Sequence, residues 1–141
     1  MKVVDANVLL YAVNSEAPRH REAKQWLDGA LSGGETVGFA WVVLLAFVRL
    51  STKSSIFASP LSADAAFDRV DAWLARPQAV VVEPSPRHGA IVRVLLASAG
   101  AAGNLVTDAH LAALAVEHRG EVVTYDTDFG RFDGVRWSQP N

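Results

Sequence analysis

Residues 1–13 read MKVVDANVLLYAV, and the placement of one acid in this run decides the fold. Val3 and Val4 form a short apolar segment suited to a buried strand, and Val8, Leu9 and Leu10 follow in the next stretch. Asp5 stands between them, where an unpaired carboxylate is costly to withdraw from water. Residues 121–132, EVVTYDTDFGRF, repeat the arrangement, with Val122 and Val123 running into Asp126 and Asp128. Acids just past two buried strands predict an α/β sheet whose strand ends share one site, since ligands of open parallel sheets bind outside the strand C-termini.

Working outward, Met1–Val4 predicts a strand and Ala6–Val13 a helix or turn. Past Pro18, the residues Ala23, Trp26, Leu27, Ala30 and Leu31 recur at helical spacing until Gly33-Gly34. TVGFA is a second strand. Trp41–Ser51 is apolar except for Arg49 and is too long for an ordinary strand, so it predicts a buried helix although its valines favour β structure. Thr52–Leu61 is a loop, and Ser62 caps a helix with an Ala66, Val70, Trp73, Leu74 stripe. AVVVE is a strand, Arg87–Ala99 a helix, DAHLAALAVEH a helix closed by Gly120, and EVVTYD a further strand. Strands alternating with helices make a mainly parallel sheet flanked by helices on both faces. No repeat or linker divides the chain, so residues 1–141 are expected to form a single domain.

The chain has 141 residues, 50% of them hydrophobic and 20% charged, which is a globular composition. No cysteine is present, which excludes disulfides, thiolate metal sites and a cysteine nucleophile, and suits the cytoplasm. There is no signal-peptide pattern and no apolar run of membrane-spanning length, so a soluble protein is expected. The formal net charge of −2 argues against a broadly basic nucleic-acid binder. Basic residues cluster at Arg19, His20, Arg21 and Lys24, at Arg49 and Lys53, and at Arg87, His88 and Arg93. Such clusters are mostly solvated helix faces.

If the first and last of these strands are neighbours, Asp5 and Asp126 meet at one sheet edge, and the first turn of the helix holding Asp108 can deliver a third acid. Two carboxylates about 4 Å apart repel by roughly 4 kcal/mol at an effective dielectric near 20. A shared proton relieves this, and a divalent cation relieves it while giving the acids a use. With only oxygen ligands, Mg2+ or Mn2+ fits better than Zn2+. Each acid also has a plain structural reading. Asp5 and Asp108 can cap helices, and Asp126 and Asp128 can shape an Asx turn. Their joint placement favours a site.

VVDANVLLYAV, AFVRL, NLVTDAHLAALAVEHRGEVVTYDTDFGRF and VRWSQP together resemble the PIN domain, and more closely the VapC toxins of bacterial VapBC toxin–antitoxin modules. The resemblance spans essentially the whole chain. It implies a Mg2+-dependent endoribonuclease, with Mn2+ as a substitute, restrained by a VapB antitoxin and expected to form a homodimer. Asp5, Asp108 and Asp126 would bind metal, Asp128 would be a further acid, and Asn7 would orient Asp5 or a water. The implied chemistry is attack of activated water on a phosphodiester of tRNA or a ribosomal RNA loop, leaving a 5′-phosphate and a 3′-hydroxyl. One position departs from the pattern: family members carry a glutamate where this chain has Ala46 in Ala46-Phe47-Val48-Arg49, and no Asp or Glu occurs between Thr36 and Ala63.

Other residues are expected nearby. Arg49, one turn after Ala46, is assigned a charge-balancing role toward the acids. Arg131 is placed at the groove mouth, and Arg87 and His110 are candidate RNA or antitoxin contacts, with a surface or packing role the simpler reading. Trp26 and Trp73 lie on apolar helix stripes and are expected to pack. Competing readings are a PIN-like binding protein weakened by Ala46, an aspartyl-phosphate phosphatase, and a DNA-directed nuclease. The phosphatase is disfavoured by Asn7 where a second Asp is usual and by the absence of lysine after Lys53. The DNA nuclease is disfavoured because the extra helical elements that grip branched DNA are missing.

Overall fold

A computed structural model describes residues 1–141. Five parallel strands stand in the order β3-β2-β1-β4-β5, with β1 Lys2–Val4, β2 Val37–Phe39, β3 Ala79–Val81, β4 Glu121–Val123 and β5 Trp137–Ser138. The helices are α1 Ala6–Val13, α2 His20–Ala30, α3 Trp41–Ser51, α4 Ala63–Leu74, α5 His88–Ala99 and α6 Val106–Glu117. Successive residues of a strand face opposite sides of the sheet, and Val3 and Val4 are both fully buried, as are Val122 and Val123 to within 1%. Helices therefore cover both faces at the centre, and burying each of these side chains contributes roughly 1.5–3 kcal/mol. At the β3 edge, Val80 and Val81 are exposed.

Trp73 of α4 joins the core, stacked on Phe39 and edge-on to Phe47 of α3. Trp26 packs half-buried against the same core, whereas Trp41 at the start of α3 is exposed. Gly100 ends α5 in a left-handed conformation with φ 68°, as a helix-terminating glycine does. At the end of α6 the expected glycine stop is arranged differently. Arg119 takes the left-handed φ of 55°, and Gly120 is required because a Cβ there would lie 3.0 Å from the Met1 carbonyl oxygen.

The strand order positions the site. The chain runs from β1 outward to β2 and β3, then returns through α5 and α6 to place β4 on the other side of β1. The direction of winding changes between β1 and β4, and a crevice opens at such a point outside the strand C-termini. The register pairs Val4 with Val123, and the Asp5 backbone N–H donates to the Val123 carbonyl at 3.0 Å. Asp5 and Thr124 therefore face each other, with Asp126 two residues further on.

Candidate metal centre

Asp5 caps α1, its Oδ1 accepting from the Ala6 N–H at 2.7 Å, so the cap reading holds and leaves Oδ2 to other partners. Its Oδ2 accepts from the Thr124 hydroxyl at 2.7 Å and from Asn7 Nδ2 at 3.2 Å. Asn7, two residues beyond the cap, also donates to Thr124 Oγ1 at 3.1 Å and accepts the Tyr125 N–H at 3.0 Å. Thr124 Oγ1 further accepts the Asp126 N–H at 2.9 Å. Thr124 is fully buried and is the hub of this network, a residue the sequence reading passes over as one more β-branched strand position. The signal available is its place between Val123 and Asp126 at the strand end, where a hydroxyl has no apolar reason to be buried.

Past β4 the chain turns through a short 3-10 helix, Thr127–Arg131, capped by Asp126, whose Oδ1 accepts the Asp128 N–H at 2.9 Å. This Asx turn presents both acids. α6 begins two residues before Asp108, which lies in its first turn. Asp108, Asp126 and Asp128 each offer a ligand oxygen, and these oxygens lie within 4.8 Å of one another. Asp5 is outside that tight trio but shares a cavity of about 130 Å3 with Asp108. No Lys, Arg or His forms an ion pair with any of the four.

The electrostatic result is visible in the acids themselves. Asp108 is pushed up to about 6 by burial and by the charges of Asp126, Asp5 and Asp128. Burial also raises Asp5, opposed by its hydrogen bonds from Thr124, Ala6 and Asn7. Clustered, uncompensated, oxygen-only donors are the set that Mg2+ or Mn2+ accepts, so the residues present fit a hard divalent cation. Ala46 lines the cavity shared by Asp5 and Asp108, together with Val42 and Val43 of α3. A carboxylate at position 46 would project among the acids, and here a methyl group leaves that space open.

The remaining candidates lie apart from the acids. Arg49 is exposed and makes no ion pair with them, so the expected charge balance from that residue is not formed. Arg131 Nη2 donates to the Ala99 carbonyl at 3.3 Å, tying the 3-10 turn to the end of α5. Arg87 precedes α5 and is exposed. His110 bonds through Nδ1 to His88 Nε2 at 2.7 Å, and His88 Nδ1 meets Glu117 Oε2 at 2.7 Å, so His110 is engaged with α5 through this chain.

A PIN domain family model matches residues 2–135. The chain is 61% identical over 140 residues to Ribonuclease VapC37 of Mycobacterium tuberculosis, covering 99% of this chain and 97% of that one. It is 40% identical to Ribonuclease VapC31 of the same species over 99% of both. Among solved structures, VapBC2 from Rickettsia felis bound to a promoter DNA fragment matches with a TM-score of 0.72 at 18% identity, covering 99% of this chain and 98% of that one. VapC20 of M. tuberculosis, described as a sarcin–ricin loop cleaving toxin, matches with a TM-score of 0.70 at 19% identity over 96% and 99%. The fold is that of a PIN domain, and the chain belongs to that family within its VapC ribonuclease branch.

Proposed function

We propose that this chain is the toxin of a VapBC-type toxin–antitoxin module, a single-domain endoribonuclease that hydrolyses structured RNA with Mg2+, or Mn2+ in its place. The observation that carries the reading is the set of four acids without basic partners at the β1/β4 crevice, in a chain so similar to VapC ribonucleases. Asp108, Asp126 and Asp128 are the metal-binding residues, with Asp5 beside them. A divalent cation held by these residues would offset their repulsion and would supply Lewis-acid activation of water and charge stabilisation at the phosphodiester. Thr124 and Asn7 fix the Asp5 carboxylate. Its Oδ1 accepts one backbone N–H, and a carboxylate oxygen has a second lone pair to offer.

The antitoxin is the expected partner, as in the VapBC complex of R. felis. Trp41 and Leu45, exposed on α3, leave apolar surface for an antitoxin segment or for the second copy of a homodimer. No helix is long and apolar enough to cross a membrane, and the cytoplasm is the proposed location. The proposed substrate class is a structured RNA, a tRNA or a ribosomal RNA loop, in keeping with the description of VapC20 as a sarcin–ricin loop cleaving toxin. A second reading, a PIN fold kept for binding, rests on Ala46.

The test is cleavage of total cellular RNA by antitoxin-free protein with Mg2+ or Mn2+, beside Asp5→Asn and an EDTA control. The expected result is a discrete cut that both controls abolish. Silence of the wild type, with cutting restored by Ala46→Glu, would favour the binding reading instead.

A further inference from the structure

Beside the acids, a second group of residues serves no purpose in the metal centre. Tyr125 follows Thr124, and its backbone N–H is the group that Asn7 accepts, so its backbone is held by the network that holds Asp5. The guanidinium of Arg19, at the start of α2, lies over that ring with Cζ 4.8 Å from the centroid. Glu22 holds both partners, accepting from the Tyr125 hydroxyl at 2.9 Å and lying 3.5 Å from Arg19 Nη1. Tyr11, one turn of α1 beyond Asn7, packs against Tyr125 with centroids 5.3 Å apart. Although so engaged, the Arg19 side chain is 52% exposed.

From this geometry we infer that Arg19, laid on Tyr125, is a stacking platform for one unpaired nucleobase of the RNA. The inference rests on the ribonuclease reading and extends it to how substrate is held. Guanidinium planes and aromatic rings both stack bases, and structured RNA is read through its unstacked loop nucleotides. Glu22 offsets the charge of Arg19, so the group offers a flat polarisable surface more than a free cation for a phosphate. An open cleft of about 840 Å3 adjoins Glu22 along α2 and is lined by His20, Arg21 and Trp26, giving the flanking nucleotides a path away from the acids. The sequence reading of Arg19 and Arg21 as a solvated helix face misses this because the partner ring lies more than 100 residues away.

The experiment measures initial rates of total-RNA cleavage against RNA concentration for Arg19→Ala and Arg19→Lys beside wild type. It is paired with quenching of a single-stranded RNA octamer carrying 2-aminopurine. Arg19 makes no side-chain cap bond to α2, so its replacement leaves the helix intact. Arg19→Ala and Arg19→Lys are expected to raise KM by about fivefold or more with kcat within about twofold, and to lose quenching, in line with the low end of base stacking. Wild-type KM in Arg19→Lys would mean a charge contact to phosphate and would overturn the platform, as would an unchanged KM in Arg19→Ala. A wild type that cuts no RNA defeats the ribonuclease reading, and the platform with it. A wild type that cuts normally beside insensitive Arg19 variants defeats the platform alone.

Discussion

Asp108 near the start of α6 and Glu117 at its end are both partly withdrawn from water, yet they have opposite fates. Burial raises Asp108, and three neighbouring carboxylates raise it further. Burial pushes Glu117 the same way, but hydrogen bonds from Ser85 and His88 outweigh it and leave the group below the usual carboxylate range. Glu117 accepts the Ser85 N–H at 3.0 Å and the Ser85 hydroxyl on one oxygen, and meets His88 Nδ1 on the other. One acid is completed by the fold and joins α5 to α6. The other is left short of partners, which costs stability and preserves its capacity to bind something else.

The sharpest way to break this contrast is to neutralise each acid. Asp108→Asn is expected to lower RNA cleavage by more than about 100-fold, beyond the range typical of residues that merely support metal ligands. The same change raises the melting temperature of the metal-free protein by relieving repulsion. Glu117→Gln should do the reverse, keeping cleavage within about threefold while costing about 1–3 kcal/mol of stability as its hydrogen-bonded charge is lost. Equal losses of activity in the two variants would end the distinction.

A smaller effect tests the support beneath the acids. Thr124→Val keeps the shape of a buried strand residue but leaves Asp5 Oδ2 and Asn7 without their shared hydroxyl. Cleavage should fall about 10- to 100-fold, with circular dichroism unchanged. Smaller again is the effect of adding an acid. Ala46→Glu should tighten Mn2+ binding, measured by calorimetry, about three- to tenfold, because affinity follows the number of charged oxygen ligands. No gain in affinity or rate would mean that another group already fills that place.

The finest test is the pH dependence of stability without metal. Asp108 titrates near 6 in the fold, above its ordinary 3.8. Its favourable contribution is therefore complete below about pH 4 and lost as pH rises through 6. The melting-temperature advantage of Asp108→Asn over wild type should be greater at about pH 7.5 than at about pH 5, and added Mn2+ should reverse it. Glu117 has the opposite sign, its stabilisation fading as pH falls below the usual carboxylate range.

Much of this contrast is legible in the sequence. The run from Val3 to Asp5, its counterpart from Val122 to Asp126, and Asp108 in a late helix together locate the crevice. Each strand up to β4 is short, apolar and bounded by recognisable breaks. The fifth strand, β5, escapes notice because Trp137 and Ser138 are too few to show a period, and it pairs only with β4. Thr124 is missed for a related reason, since its hydroxyl matters only after parallel register sets it opposite Asp5. Arg49 fails in the other direction: an isolated charge in an apolar helix suggests an internal partner, but its position on α3 faces solvent.

The hydrogen bond from Thr124 to Asp5 joins residues 119 positions apart. During translation β1 emerges well before β4, so Asp5 waits for more than 100 residues of synthesis without Thr124, Asp126 or Asp128. If the proposed acids form the cutting centre, a chain made only as far as α6 has not assembled it, and the ribosome producing it is not exposed to a working nuclease from that chain. On the proposed reading, activity appears only when β4 docks against β1, which defers the hazard until both strands have been made.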